Sequence, residues 1–220
     1  MKILYEDKDI IVLVKPLGVA SQMERGSAED MVSILMNYFH KNGEKNPYVG
    51  VVHRLDKNVS GVMVYGKNKN ATSKLSAAIS GREAEKYYLA KIYNGDQLKD
   101  EDTLCDYLIR DGRINMSRVA APDEINAKSG AKKAELIYRK KGKEIIDNVE
   151  ITVVDIKLLT GRHHQIRVQF SNRGCPIVGD RKYGGDIENK IDSRGISLFC
   201  YRLKFRHPVS GKVMDFETQP

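Results

Sequence analysis

Cysteine is scarce in this sequence, and the three present, Cys105, Cys175 and Cys200, lie far apart. No two of them have C-x-x-C spacing, which argues against a zinc knuckle or a thioredoxin-like redox site. The odd count argues against a disulfide framework and suits a reducing cytoplasm, the expected location. Long apolar runs are also missing. No segment approaches the ~20 apolar residues that a membrane-spanning helix needs, so no membrane partner is expected. The start, MKILYEDKDIIVLVKPLG, places Glu6, Asp7, Lys8 and Asp9 before a short apolar run, unlike the continuous h-region of a signal peptide. Repeats, low-complexity tracts and a clear linker are absent too.

What is present is a globular composition, with 41% hydrophobic and 30% charged residues. The 220 residues fit a single domain, read as 1–220. Lys plus Arg number 37 against 29 Asp plus Glu, a net charge of +8, which makes a polyanion a plausible partner.

Residues 9–15 (DIIVLVK) read as a buried strand closed by Pro16 and Gly18. Ser27 to Asp30 resembles a capping-box start, followed by Met31, Ile34, Leu35, Tyr38 and Phe39 at helical spacing. Residues 49–52 and 62–65 read as strands flanking a loop, HRLDKNVSG. Asn70 is a candidate cap for a helix running to Ile79 and ended by Gly81. Further strands are expected at 86–93, 104–109, 134–139, 149–159, 197–205 and 213–216, with 115–133 an exposed connection. Around Ile166, Val168 and Phe170 periodicity does not separate strand from short helix. Strands outnumber helices and do not alternate with them one for one, which favours α+β with a largely antiparallel sheet.

Three short segments could carry chemistry. In His53-Arg54-Leu55-Asp56 an extended backbone would point Arg54 and Asp56 to one side and Leu55 to the core. By spacing alone this is a surface charge pair. In Gly161-Arg162-His163-His164-Gln165-Ile166-Arg167 the adjacent histidines would point apart on a strand or a helix, without a third ligand nearby, so no metal is expected. The arginines there suit an anion or a carboxylate, because guanidinium is a rigid bidentate fork. In Lys86-Tyr87-Tyr88 strand alternation sends the two tyrosines to opposite faces.

Taken together and in order, VHRLDKNVSGVMVYGKN, KYYLAKIYNG, LLTGRHHQIRVQFSNRGCPIVGDRKYGG and LFCYRLKFRHPVSGK resemble the RluA-type pseudouridine synthases. The opening YEDKDIIVLVKPLGV is similar to that family's first strand and Lys-Pro turn. The resemblance runs from about Tyr5 to the C-terminus. It implies the family's catalytic fold, a mixed, mostly antiparallel sheet with peripheral helices and a central RNA-binding cleft. Many relatives carry an S4-type RNA-binding domain in front, and none is expected here. Departures are Val59 for a usual Thr, Gln169 for a common His and Phe199 for a usual His, which bear on packing and specificity.

The resemblance implies an isomerase that converts uridine in structured RNA to pseudouridine, with ribosomal RNA placed ahead of transfer RNA, acting as a monomer without cofactor. Asp56 matches the catalytic aspartate, and Tyr88 the active-site tyrosine, with Tyr87 then assigned to the core. Arg167 matches the arginine that pairs with the aspartate. Arg54 matches the arginine that replaces the flipped base, and Arg162 shapes the loop or contacts phosphate. His53, Leu55 and Ile166 complete the substrate-binding set. The basic residues Lys67, Lys69, Lys74, Arg82, Arg110, Arg113, Arg118, Arg162, Arg173, Arg181 and Lys182 are candidate phosphate contacts. Two alternatives stand beside this reading. One is a non-catalytic RNA-binding or folding factor on the same fold, and the other a metal-dependent hydrolase built on His53, His163 and His164.

Overall fold

The computed structural model describes residues 1–23, 29–126, 128–185, 187, 191, 193 and 195–220. The chain forms two compact units, one of Met1–Lys86 with Phe199–Pro220 and one of Tyr87–Leu198.

The first unit opens with β1 (Lys2–Glu6), β2 (Ile10–Lys15), α1 (Met31–Lys41), β3 (Gly50–Val51), β4 (Ser60–Gly66) and α2 (Lys69–Ser80). Strand β1 was not evident in the sequence. Its residues alternate weakly and most are half-buried, so it reads as an edge. It pairs antiparallel with β2, which pairs antiparallel with β4. Residues Ile10 to Leu13 of β2 are fully buried, so both faces of that strand are covered, and its continuous apolar run follows from that.

Helix α1 begins after Asp30, whose carboxylate accepts the Val32 and Ser33 amides. Ser27, the other end of the anticipated capping box, lies outside the described residues. The expected cap of α2 at Asn70 is displaced by two residues. Asn68 takes that role, because its side-chain oxygen accepts the Ala71 amide at 2.8 Å while its NH₂ donates to Asp9 at 2.9 Å.

The second unit begins within β5 (Glu85–Ile92) and continues with β6 (Glu101–Asp111), β7 (Met116–Val119), β8 (Lys132–Ile146), β9 (Val149–Leu158) and α3 (Gln165–Ser171). Its strand order is β5-β9-β8-β6-β7, with β9–β8, β8–β6 and β6–β7 antiparallel. The exposed connection expected at 115–133 therefore starts as a strand. The turn before it reverses the chain and pairs residues 116–119 with 108–111. The chain then returns to the first unit as β10 (Leu198–Arg206) and β11 (Val213–Glu217), which pair antiparallel.

Strand β10 runs parallel to β4, with Cys200 opposite Gly61. Gly61 has φ +135°, and a Cβ there would meet the Cys200 carbonyl oxygen at 2.4 Å. Only glycine fits this crossing. The core of the first unit packs Ile10, Val12, Val62, Val64, Ala71, Leu75, Leu203 and Phe205. The second has a cluster around Tyr93, Ile151 and Val178 and another around Leu108, Ala134 and Val168. The architecture is α+β with a mixed, mostly antiparallel sheet, as the sequence suggested. No helix among the described residues is long and apolar enough to cross a membrane.

Candidate active site

The residues singled out by sequence fall into two groups, one in each unit. In the first unit His53, Arg54, Leu55 and Asp56 share the loop between β3 and β4. Leu55 is buried, Arg54 exposed and Asp56 half-buried. The loop is held at both sides of Asp56. On one side the Ser21 hydroxyl donates to the Leu55 carbonyl at 2.7 Å and accepts the Leu55 amide at 3.0 Å. On the other, the Lys57 carbonyl accepts the Gly18 amide at 2.9 Å and the Lys15 ammonium at 3.3 Å. Lys15 is fully buried and also donates to the carbonyls of Pro16 and Val19, so a charge-assisted hub sits beneath the loop. The Val59 amide closes the turn onto the Asp56 carbonyl at 3.0 Å.

His53 is a buried strut. Its Nε2 accepts the Val64 amide at 3.1 Å, which leaves the proton of the neutral ring on Nδ1. Burial, and then the nearby Lys86, push its pKa well below the usual range. Burial likewise lowers that of the Lys86 ammonium.

In the second unit Tyr88 lies on β5. The assignment of Tyr87 to the core needs correction. Tyr88 is the buried neighbour, sharing a face with buried Ala90 and Ile92, whereas Tyr87 is half-buried under the Lys157 ammonium at 5.5 Å. Period-two alternation along β5 decides it.

The GRHHQIR segment is a loop leading into helix α3, which settles the open choice between strand and helix. Gln165 ties it down: its side-chain oxygen accepts the Thr160 hydroxyl at 2.8 Å and the Arg162 amide at 3.0 Å. Arg162 is half-buried and donates to the Lys133 carbonyl at 2.8 Å. Ile166 is buried. His163 and His164 do not point apart. His164 takes a left-handed backbone conformation, φ 52°, and the two rings stack with centroids 3.8 Å apart. The alternation rules of strand and helix do not apply to a residue in that region.

Arg167 is almost fully buried and makes a two-pronged pair with Asp180, Nε to Oδ2 and Nη2 to Oδ1, both 2.8 Å. The Tyr183 ring lies 5.0 Å from the guanidinium carbon. The Tyr183 hydroxyl accepts the Ser117 amide at 2.8 Å and shares a hydrogen bond with His164 Nδ1, also at 2.8 Å. Burial, then Arg167, drive the His164 pKa down to about 2, so that ring is neutral. Sequence reasoning gave no role to Asp180 or Tyr183. The GDxxYGG motif that contains them was the available signal.

The basic residues separate into two sets. Lys67 pairs with Glu6 and Glu44, Arg118 with Glu124, Arg113 with Asp111 and Arg173 with Asp106. Lys67 in particular is half-buried over the Phe39 ring, so it braces the first unit and does not serve as a phosphate contact. Lys69, Lys74, Arg82 and Arg181 are exposed, and no carboxylate among the described residues pairs with them.

Among the described residues one histidine and carboxylate group has metal-ligand spacing, Asp7, Asp9 and His207. Its atoms lock a turn instead. His207 Nε2 bonds Asp7 at 2.9 Å, its Nδ1 accepts the Val209 and Ser210 amides, and Asp7 accepts those of Asp9 and Ile10.

A family model described as RNA pseudouridylate synthase matches residues 9–172. The chain belongs to the RluA-type RNA pseudouridylate synthases. It is 32% identical over 212 residues to a "Dual-specificity RNA pseudouridine synthase RluA" of Vibrio parahaemolyticus, covering 94% of this chain and 78% of that protein. It is 33% identical to a "Ribosomal large subunit pseudouridine synthase C" of Rickettsia bellii, covering 99% of this chain and 67% of that protein. The chain spans about two thirds of the length of several of its curated relatives. The solved structure of human RNA pseudouridylate synthase domain containing 1 has the same fold, with a TM-score of 0.79 at 21% identity over 100% of this chain and 83% of that one. The enzyme is thus an RNA pseudouridine synthase, an isomerase.

Proposed function

We propose that this synthase acts on uridines of ribosomal RNA and that Asp56 is its catalytic carboxylate. The observation that carries the assignment is the double anchorage around Asp56, Ser21 at Leu55 on one side and Lys15 with Gly18 at Lys57 on the other. A carboxylate that must meet a ribose carbon in one geometry needs such support. Ribosomal RNA is favoured because relatives of similar identity carry that substrate in their names.

The reaction breaks the uracil N1–C1′ bond, turns the ring and joins C5 to C1′. The C5 proton leaves and N1 gains one, so no atom is gained or lost overall. The target base must first leave its stack, at a cost of a few kcal/mol. Arg54, exposed beside Asp56, fills the vacated place, while His53 and Leu55 hold that stretch of the loop. Asp56 then either attacks C1′ or removes the C2′ proton, and both routes begin from the carboxylate. Arg167 supplies the positive charge for that carboxylate, and Tyr88 stacks on uracil and moves the C5 proton. Arg162 and Ile166 shape the substrate-facing loop. Lys69, Lys74, Arg82 and Arg181 are the phosphate contacts.

The test is deletion of the gene followed by pseudouridine mapping of ribosomal and transfer RNA, and complementation with wild type and Asp56→Asn. The expected result is loss of one or more ribosomal pseudouridines, restored by wild type and not by Asp56→Asn. Restoration by Asp56→Asn would refute the assignment. Loss confined to transfer RNA would refute the substrate.

A further inference from the structure

We propose that Arg110, Lys182 and the side-chain amide of Asn115 form a binding site for one RNA phosphodiester, built entirely from the second unit. The proposal rests on RNA being the substrate, and not on the roles given to Asp56 and Arg167.

The site gathers on the turn between β6 and β7. Asn115, exposed near the end of that turn, takes a left-handed backbone conformation, φ 50°. The Lys182 ammonium donates to the Asn115 carbonyl at 3.1 Å. Arg110 Nη2 meets the Asn115 side-chain oxygen at 3.5 Å, and His163 Nε2 meets the same oxygen at 3.0 Å. That oxygen is thereby engaged. The NH₂ group of the same side chain has no acceptor among the described residues, so both its N–H bonds remain for a ligand.

The supports of this cluster are themselves fixed. Asp111 Oδ1 accepts the Arg113 amide at 2.9 Å, which shapes the turn. His163 is held from behind by Ser117 Oγ, 2.8 Å from its Nδ1. Asp180 Oδ1 accepts the Lys182 amide at 3.2 Å, which sets where the lysine side chain departs. Residues of β6, the β6–β7 turn, the α3 entry and the 180–183 turn thus bring donors to one exposed asparagine, and little remains to be ordered on binding.

What the cluster lacks is a counter-charge. Asp111 is taken by Arg113 at 3.3 Å, and Glu124 by Arg118. No carboxylate among the described residues pairs with Arg110 or Lys182. Both meet only neutral oxygens of Asn115, a task that an uncharged donor would perform equally well. Their charge is felt next door: after burial, Arg167 and His163, the cations Lys182 and Arg110 also hold the His164 pKa down. Gathering cations without an acid is unfavourable, and a bound phosphate reverses the sign of that interaction. A guanidinium has five N–H bonds and an ammonium three, so donors remain on both for phosphate oxygens.

The test compares three double variants of the full chain. One is Arg110→Gln with Lys182→Gln, one the charge-keeping Arg110→Lys with Lys182→Arg, and one a control, Lys128→Gln with Lys141→Gln. Lys128 and Lys141 are exposed lysines of the same unit outside this cluster. The probes are ribosomal RNA and, separately, transfer RNA, each purified from cells lacking the gene. Kd is measured between about 50 and 200 mM salt for whichever RNA the wild type converts. Loss of the site should weaken binding about tenfold in the Arg110→Gln, Lys182→Gln protein. Its salt slope should fall by about 0.7–0.9, the share of one phosphate. The charge-keeping protein should retain the wild-type slope, and the control should match wild type in both readings. Wild-type Kd and slope after removal of both charges overturns the site. So does an equal loss in the control, which would assign the effect to net charge, or in the charge-keeping protein, which would assign it to the shape of the turn. None of these outcomes touches the role of Asp56. Wild-type turnover in Asp56→Asn would overturn that role and leave this site standing.

Discussion

Replacing Ser21 with alanine removes one buried oxygen that serves both polar groups of Leu55, one residue before Asp56. Ser21 is 2% exposed and Leu55 6%, so solvent has little access to the amide and carbonyl left behind. Each buried group without a partner costs about 1–3 kcal/mol. Two such groups give an expected loss of about 2–4 kcal/mol, because local relaxation recovers part of the upper limit. For a chain of this size that corresponds to a fall of roughly 4–16 °C in melting temperature. Urea unfolding followed by circular dichroism measures the loss, and an unchanged m-value would place the effect in the native state. The same variant should slow single-turnover pseudouridine formation while leaving RNA affinity within about threefold, since the loop carrying Asp56 loses an anchor and not a phosphate contact. A stability change below about 0.5 kcal/mol, the range of an ordinary surface substitution, would refute the clamp.

Gly61→Ala should lower stability by ~3 kcal/mol or more, because its Cβ would meet Cys200 backbone at 2.4 Å from a backbone conformation unsuited to side chains; a wild-type melting temperature would contradict the β4–β10 crossing. Arg54→Ala should leave stability within about 0.5 kcal/mol, as an exposed change, yet reduce pseudouridine formation at least about tenfold through loss of base replacement. Equal activity in the two proteins would remove Arg54 from the site. Buried His53 and His164 stay neutral in the folded chain, their pKa values held below the unfolded value near 6.5. The unfolded chain therefore takes up two more protons as pH falls through about 6, and stability should drop by up to ~2.7 kcal/mol per pH unit below that point, whereas it is flat above pH 7.5. Urea unfolding between pH 7.5 and 5 tests this; a slope of about half that size would show that one ring protonates in place, and a flat profile that both do.

The sequence made strands such as β2 and β4 legible because continuous apolar runs bounded by turn residues have few other meanings. It did not reveal β1 or β7, which are short and weakly patterned and whose pairing depends on partners supplied by the fold. The cap of α2 was missed by two residues because NKN offers two asparagines, and only the contact with Asp9 selects Asn68. Local rules also failed at the tyrosine pair. Alternation predicts that Tyr87 and Tyr88 separate, but which one is buried depends on what lies over each face of β5, here Lys157 over Tyr87.

The histidine pair fails for a deeper reason. Strand and helix both send adjacent side chains apart. His164 adopts neither, and its left-handed backbone lets the rings stack. Such a conformation costs about 1–2 kcal/mol for a residue with a Cβ. It persists here because Tyr183 and the His163 ring hold His164 from two sides, and Tyr183 is fixed in turn by Ser117. The contacts with Tyr183 and Ser117 are not local in sequence, so no periodicity could have announced them. The same holds for Asp180, which lies thirteen positions after Arg167, a separation with no periodic meaning. Motif resemblance marked the segment as important, while the geometry of a buried, two-pronged carboxylate is what gives it a physical task.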